Sequence, residues 1–397
     1  MVRPTFFAAS LGLAILLALA PTTGEAAAHR GQIEANDSDP FSMLLSRYVD
    51  LGSADEVSPE DAARLRGDLS ALADTGDAQA LNLLAILTEQ GFGRPPNPDA
   101  GLGLFYLAAE NGSADAALNL SVREIQSPDP VVRQAGLDRL DALARRSDLP
   151  ETLAGLITGY QGWTLALGLR EADNPDRTAL DLIETGLAAN PDDSILHWAM
   201  ALLIETDGPA IADRARLLHH YRQAGRNGHG QAAWRAGMMH LNGDGTETDA
   251  AEAFRWINLA AGAGLDDGLI SLAVMYAVGQ GTDPDPVRAR ALYGEAASRG
   301  NAHALRGLGF MLIFGEGGEA DPVRGVALAR LAADAGDRMA ADLLTQLAPQ
   351  IPDEADWIMA VNNARAEFLR ETGLSPDRLY GAQTLPAASP AVVSGGD

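Results

Sequence analysis

A pair of glycines with one residue between them recurs along this chain at a fixed interval. The copies read LNGDGTETD from Leu241, VGQGTDPD from Val278 and FGEGGEAD from Phe314, so the leading glycines stand 36 residues apart. A sequence that repeats itself at such a period builds stacked copies of one small unit, because a single copy cannot bury its own apolar face. This period constrains the fold more than any other feature of the chain.

The repetition extends through a whole unit around each glycine pair. Three units occupy residues 229–264, 265–300 and 301–336, and an earlier copy occupies residues 77–112. Apolar residues at helical spacing lie on both sides of each glycine pair, which predicts two helices per unit. Glycine accepts the positive φ that ends a helix, and an aspartate can cap the next helix through its first N–H groups. The aspartates in question are Asp249, Asp285 and Asp321.

This pattern resembles the Sel1-like repeat, a relative of the tetratricopeptide repeat. The copy LAVMYAVGQGTDPDPVRARALYGEAASRG carries it best, although His240 and Leu312 stand at the usual tyrosine position in the neighbouring copies. The resemblance implies an all-α fold, an α-solenoid in which Sel1-like and TPR-like helix hairpins stack into a right-handed superhelix. The residues that match in this copy are Met275, Tyr276, Gly279, Gly281, Asp285, Ala289, Tyr293, Ala296, Ala297 and Gly300.

The segments around these copies extend the same architecture. Residues 113–228 break into three degenerate hairpins around SPDPVVRQ, ADNPDRTA and TDGPAIAD, each with a proline near a helix start. Residues 41–76 predict one more pair, so that degenerate hairpins fill 41–228 apart from the copy at 77–112. Residues 337–373 predict a capping pair, which brings the total to about nine hairpins. Residues 29–40 are expected to be flexible, and the tail 374–397, rich in Pro, Ala, Ser and Gly, to be disordered.

The N-terminus has the form of a secretory signal. Arg3 precedes an uncharged apolar run from Phe6 to Ala20, and three alanines end at Ala28. A basic start, an apolar middle and a small-residue site predict cleavage after Ala28, with a cut after Ala20 or an uncleaved anchor as alternatives. We therefore expect an exported protein, periplasmic or secreted, with no stable membrane insertion after cleavage.

Composition excludes several kinds of chemistry. The chain has no cysteine, and its 29 basic residues are all arginines against 54 acidic ones, a net charge of −25. Without lysine there is no P-loop, no Schiff base and no Ser-x-x-Lys site, and without cysteine there is no thiol nucleophile and no zinc–thiolate site. So acidic a surface repels nucleic acid and anionic lipid.

The glycine pair and the histidines do not predict a ligand. A dinucleotide fingerprint needs a third glycine after a strand, whereas here a helix precedes the pair. An EF-hand loop starting at Asn242 would need glycine and glutamate where Glu247 and Ala253 stand. His219 and His220 are adjacent and point to different sides of a helix, unlike a metal pair three or four residues apart. We predict no cofactor and no metal.

A binding surface follows from the resemblance, which implies that the first helix of each unit lines a concave groove. Aromatic and apolar anchors beside one fixed donor are typical of interfaces, and Trp234, Met238, Ile270, Arg306 and Phe310 supply them. The alternative is that these side chains only pack between adjacent helices. The full set of groove positions is Gln231, Trp234, Met238, Leu241, Asp267, Ile270, Val274, Ala277, His303, Arg306, Phe310 and Ile313.

The predicted function is that of a scaffold or adaptor in the bacterial cell envelope. A protein or peptide partner would lie in the groove, and no covalent chemistry is expected. One alternative is an envelope hydrolase with a carboxylate pair within residues 113–228, which a strongly raised carboxyl pKa there would favour. Another is a structural component that associates with copies of itself.

Overall fold

The computed structural model describes residues 39–52, 57–172, 175–206, 211–350 and 354–379. Within these ranges the regular elements are 18 α-helices and two short 3-10 turns, and no strand is present. The chain divides into two compact units, Met1–Asp207 and Gly208–Asp397. The prediction of an all-α fold of stacked hairpins is confirmed; the hand of the superhelix stays a prediction.

Unit 1 contains the first nine helices. Each helix packs against the next one in sequence, and α7 also contacts α9, so that antiparallel pairs stack in chain order. The helices are α1 (Pro40–Gly52), α2 (Pro59–Ala73), α3 (Ala78–Gln90), α4 (Pro98–Glu110), α5 (Ala114–Ile125), α6 (Pro130–Ala144), α7 (Glu151–Ala166), α8 (Pro175–Ala189) and α9 (Ser194–Thr206).

Unit 2 contains the other nine helices. Successive helices pack together from α10 to α17, α11 also contacts α13, and the last helix, α18, folds back onto α16. The helices are α10 (Ile211–Arg226), α11 (Gly230–Asn242), α12 (Ala250–Gly262), α13 (Asp266–Val278), α14 (Pro286–Ser298), α15 (Ala302–Phe314), α16 (Pro322–Asp334), α17 (Arg338–Leu347) and α18 (Ala355–Thr372).

Small aliphatic side chains fill both cores. The main cluster of unit 2 is built largely from alanines and leucines, with Phe368 of α18 closing one end. Small side chains let helices approach closely, which suits a stack whose repeats must each contact two neighbours. The core therefore runs along each unit and is not gathered at one centre.

The predicted helix caps are confirmed. Gly243, Gly279 and Gly315 end α11, α13 and α15 in the left-handed conformation, with φ of 71°, 73° and 72°. In the second helix of each unit, the N-cap aspartate accepts a hydrogen bond from the backbone N–H two or three residues later. The turn chemistry thus sets where each helix of the pair ends and begins.

The second glycine of each pair fixes how neighbouring repeats stack. A Cβ on Gly281 would lie 2.0 Å from the carbonyl oxygen of Ala250, and one on Gly317 would lie 2.1 Å from that of Pro286. Ala250 and Pro286 are the first residues of the preceding second helices. Each glycine turn therefore packs backbone to backbone against the previous repeat, which a side chain would prevent.

The segments outside the four glycine-pair copies are helical as well. Helices α5, α6, α7 and α8 form two of the three expected pairs, with Pro130 and Pro175 as first helical residues. Ser58 caps α2 by accepting from the N–H of Asp61. Pro209 of the third pair lies outside the described residues, as do the predicted signal 1–28 and residues 29–38 of the flexible segment.

The C-terminal boundary differs from the prediction. The tail was expected to be disordered from Leu374, but residues 376–378 form a 3-10 turn. Leu374 and Leu379 also pack against the core of unit 2. The sequence prediction relied on the Pro, Ala and Ser content and overlooked these two leucines, whose burial stabilises the segment. The rest of the tail lies outside the described residues.

Candidate functional site

The five predicted binding residues lie in two rows across the first helices of unit 2. Trp234, Ile270 and Arg306 occupy the same repeat position on α11, α13 and α15, and Met238 and Phe310 belong to the row one turn later. Because equivalent residues of stacked repeats are neighbours, each row crosses the three helices side by side. The second row is completed by Val274 of α13.

Trp234 is tied to the next repeat. Its indole Nε1 donates to Ser271 Oγ at 3.0 Å, across 37 residues of sequence. The side chain is only partly buried, so part of it stays exposed while its N–H is satisfied. Trp234 therefore packs between two repeats and also exposes surface at a groove position. The binding hypothesis and the packing alternative each describe part of its role.

Arg306 is held by a carboxylate of the following repeat. Its Nε donates to Asp337 Oδ2 at 3.1 Å, and His303 Nε2 lies 3.7 Å from the same oxygen. Asp337 is itself almost fully buried and caps α17 by accepting from Ala340 N at 2.9 Å. This pairing fixes the guanidinium in place and leaves its remaining N–H groups as donors.

The apolar members of the two rows differ in exposure. Met238 and Ile270 are partly buried and pack against the core cluster of unit 2, as the packing alternative expects. Phe310 is 39% exposed and Val274 is 42% exposed. The ring of Phe310 lies 4.6 Å from that of Phe314, between centroids. The second row thus offers apolar surface to solvent.

Charged groups at the amino-terminal ends of α13 and α15 flank these rows. Burial, together with the negative charge of Asp266, raises the pKa of Asp267, and the nearby His303 partly offsets the shift. Asp267 and His303 are the equivalent residues of two adjacent repeats. The groove positions therefore change from polar at one end of the first helices to apolar at the other.

The histidines act in packing and capping. His240, at the tyrosine position of its repeat, is buried, and burial lowers its pKa. His229 caps α11, where its Nδ1 accepts from Ala232 N at 3.2 Å, and burial lowers its pKa to about 4. In the part of the chain that the structure describes, no group of three or more His, Asp or Glu is arranged to hold a metal ion.

Two described carboxyls of residues 113–228, the segment of the alternative hydrolase site, have a raised pKa: Asp115 and Asp193. Burial raises both. Asp193 has no exposed surface, accepts from Tyr160 OH at 2.8 Å and caps α9 through Ile195 N and Leu196 N. No substrate reaches such a group. Asp115 lies in the first turn of α5 and accepts from Gln79 Nε2 at 3.3 Å. Both carboxyls thus accept hydrogen bonds that join two helices of the stack.

The comparison with protein families agrees with this geometry. The sequence model of the Sel1 repeat family matches residues 78–113, 230–265, 267–301 and 302–337. These ranges coincide with the pairs α3–α4, α11–α12, α13–α14 and α15–α16. Four of the helix pairs are Sel1 repeats. Sel1 repeats generally mediate protein interactions, and solenoids built from them are typically non-catalytic.

Solved structures with the same fold include a protective antigen present in uropathogenic Escherichia coli strains, described as displaying an SLR fold. It is 17% identical, with a TM-score of 0.53, over 93% of this chain and 85% of that one. A Sel1 repeat protein from Oxalobacter formigenes is 21% identical, over 84% of this chain and 94% of that one, with a TM-score of 0.45. The first likeness shows the Sel1-repeat fold.

No curated protein matches the sequence. Among the helices of the described ranges, none is long and apolar enough to cross a membrane.

Sequence reasoning missed part of this surface. It did not place Val278 or Phe314 among the groove residues, although these last residues of α13 and α15 are 65% and 52% exposed. It also missed Ser271 and Asp337, the partners of Trp234 and Arg306. The 36-residue period carried a signal for the first two, because Val278 and Phe314 directly precede the leading glycines of two repeats.

Proposed function

We propose that this Sel1-repeat protein is an exported scaffold of the bacterial cell envelope that holds a segment of a partner protein along the first helices of unit 2. The residues that would contact it are Trp234, Met238, Ile270, Arg306 and Phe310. The partner is bound without covalent chemistry.

The observation that carries this proposal is the continuity of the surface from repeat to repeat. Trp234 bonds to Ser271 of the next repeat, and Arg306 bonds to Asp337 of the repeat after its own. Side chains held in this way are ordered before a partner arrives, so less entropy is lost on binding. Beside them, Phe310 and Val274 expose apolar area that no residue of the core cluster covers.

Quantitative capture tests the groove. The tagged full chain is used as bait in extracts of its own host, and the captured proteins are quantified against the variant Trp234→Ala/Phe310→Ala. Val131→Ala is the matched control, because Val131 is an exposed apolar residue of α6 in unit 1. We expect a small set of proteins to fall at least about tenfold with the double variant only, as for the loss of interface anchors. If every captured protein survives the double variant, the groove proposal is wrong.

Export is a separate part of the proposal and is supported by the apolar run from Phe6 to Ala20 and the alanines ending at Ala28. The intact mass of the protein isolated from its host measures it. We expect a chain that starts at His29 and is released with the periplasmic or secreted fraction. A full-length mass in the cytoplasmic fraction would contradict export.

A further inference from the structure

Four exposed apolar side chains occupy equivalent positions in the last turns of two successive first helices. Val274 and Val278 stand one turn apart on α13, and Phe310 and Phe314 occupy the equivalent positions on α15. We name these four residues the apolar edge. None of them is a member of the described core clusters of unit 2, and each keeps 39–65% of its surface exposed.

The apolar edge presents two apolar contact points, the phenylalanine pair and the valine pair. The two phenyl rings touch, with centroids 4.6 Å apart. In a solenoid, equivalent residues of adjacent repeats stand about one helix diameter apart, so we expect roughly 10 Å between the valine pair and the phenylalanine pair. An extended segment spans it in about three residues. The edge therefore accepts two bulky apolar side chains of one partner segment.

The loops that follow the apolar edge are acidic. Residues 279–285 and 315–321, which follow α13 and α15, contain five acidic residues and no Arg, Lys or His. Two arginines of α14 reach these loops: Arg288 pairs with Asp285, and Arg290 donates to the carbonyl oxygen of Glu319. An excess of negative charge remains, and the carbonyl ends of α13 and α15 add to it.

This charge selects among possible occupants. A second copy of the chain carries the same acidic loops and a net charge of −25, so it is repelled. An anionic lipid surface or a nucleic acid is repelled for the same reason. A segment with apolar side chains beside Arg or Lys matches both the edge and its rim.

We propose that the apolar edge is the docking site for a basic, apolar segment of the partner protein, whose arginines or lysines face the acidic loops. This inference rests on the proposed scaffold function and names the chemistry of the partner. It also adds Val278 and Phe314 to the five predicted binding residues as contacts of the partner segment.

Selection of peptides from a random displayed library on the immobilised full chain tests the inference. Binding of each selected peptide is then measured by fluorescence anisotropy with Val278→Ser and Phe314→Ser. Val287→Ser is the matched control, because Val287 is 64% exposed but lies at the start of α14. These positions are exposed, so the variants should keep the thermal stability of the parent chain.

We expect selected peptides to combine large apolar residues with Arg or Lys, and to bind at least about tenfold more weakly to both edge variants, a loss of about 1.4 kcal/mol. Their affinity should also fall as sodium chloride is raised, because salt screens the acidic loops. The Val287→Ser control should bind as the parent does.

Four outcomes would overturn the inference. These are acidic peptides, the absence of any selected peptide, peptides whose affinity is unchanged by the edge variants, and dimerisation of the chain that Phe314→Ser abolishes in sedimentation equilibrium. Peptides that weaken with Trp234→Ala but not with the edge variants would refute the apolar edge and leave the groove standing. Peptides lost with the edge variants alone would support the edge without the groove.

Discussion

At the scale of single residues, the glycines of each repeat have two separable roles. The first ends a helix with positive φ, and the second allows a backbone contact with the previous repeat. Gly281 combines a φ of 74° with a carbonyl oxygen that a Cβ would meet at 2.0 Å. A side chain there is both strained and obstructed, so stacking depends on this residue type.

Replacing Gly281 tests that dependence. We expect Gly281→Ala to destabilise unit 2 by roughly 2–4 kcal/mol, from the left-handed backbone and the collision with Ala250. Gly294→Ala is the matched control, because a Cβ at this helical glycine meets no atom within 4 Å; it should be neutral or stabilise by up to about 1 kcal/mol. Hydrogen exchange of peptides from α12 to α14 measures both. Equal protection in the two variants would contradict the stacking role.

His229 predicts a pH dependence. The ring must be neutral to accept from Ala232, and its pKa is lowered from 6.5 to about 4 in the folded chain. The unfolded state therefore takes up a proton first, so the stability that His229 contributes is present above pH 6.5 and is lost as the pH falls towards 4. From pH 7 to pH 5 we expect a loss of about 1–2 kcal/mol in unit 2.

His229→Asn separates this effect from other titrations. Asparagine is a strong N-cap that does not titrate, so the helix keeps its cap at every pH. Urea unfolding of the parent and the variant at the two pH values gives the difference. If the stability of the variant falls with pH as steeply as that of the parent, His229 does not carry the dependence.

At the scale of the helix pair, a cap can be combined with a buried polar contact. Asp193 caps α9 and accepts from Tyr160 of α7, both without exposed surface. Asp321 caps α16 through a single bond from Arg324 N, and its side chain is partly exposed. Both aspartates cap their helices, but Asp193 also accepts a hydrogen bond from a buried hydroxyl group.

Alanine at the two positions should therefore have unequal effects. Asp321→Ala loses a cap, at a cost of about 1 kcal/mol. Asp193→Ala also leaves the Tyr160 hydroxyl buried without its acceptor, and we expect a total of about 3 kcal/mol. Adding Tyr160→Phe to Asp193→Ala should recover part of the loss. Thermal unfolding monitored by circular dichroism measures the series, and equal effects of the two alanine variants would contradict the account.

The helix pairs could be predicted from sequence to the extent that local chemistry fixes them. The glycine period, the aspartate caps and the prolines at Pro130 and Pro175 located the helices, because caps and turns depend on neighbours in the chain. The contacts Trp234–Ser271 and Tyr160–Asp193 could not be predicted. They join residues more than 30 positions apart, and they depend on how each helix is rotated about its axis.

At the scale of the whole molecule, the proposed binding function belongs to a surface that successive repeats build together. Each Sel1 repeat contributes the same positions to a row, and changing the residue at one position changes one contact. The aspartates before the second helices serve as caps, whereas the first helices carry the two rows of groove positions. A scaffold of this kind can acquire a new partner without altering its stack.

The central claim is that the first helices of unit 2 hold a partner. Site-specific photocrosslinking in cells from position 310, with the exposed position 338 of α17 as control, tests it most directly. The account predicts a discrete adduct with another protein from position 310, identified by mass spectrometry, which disappears with Trp234→Ala and is absent from position 338. Self-adducts alone, or no adduct from either position, would contradict it.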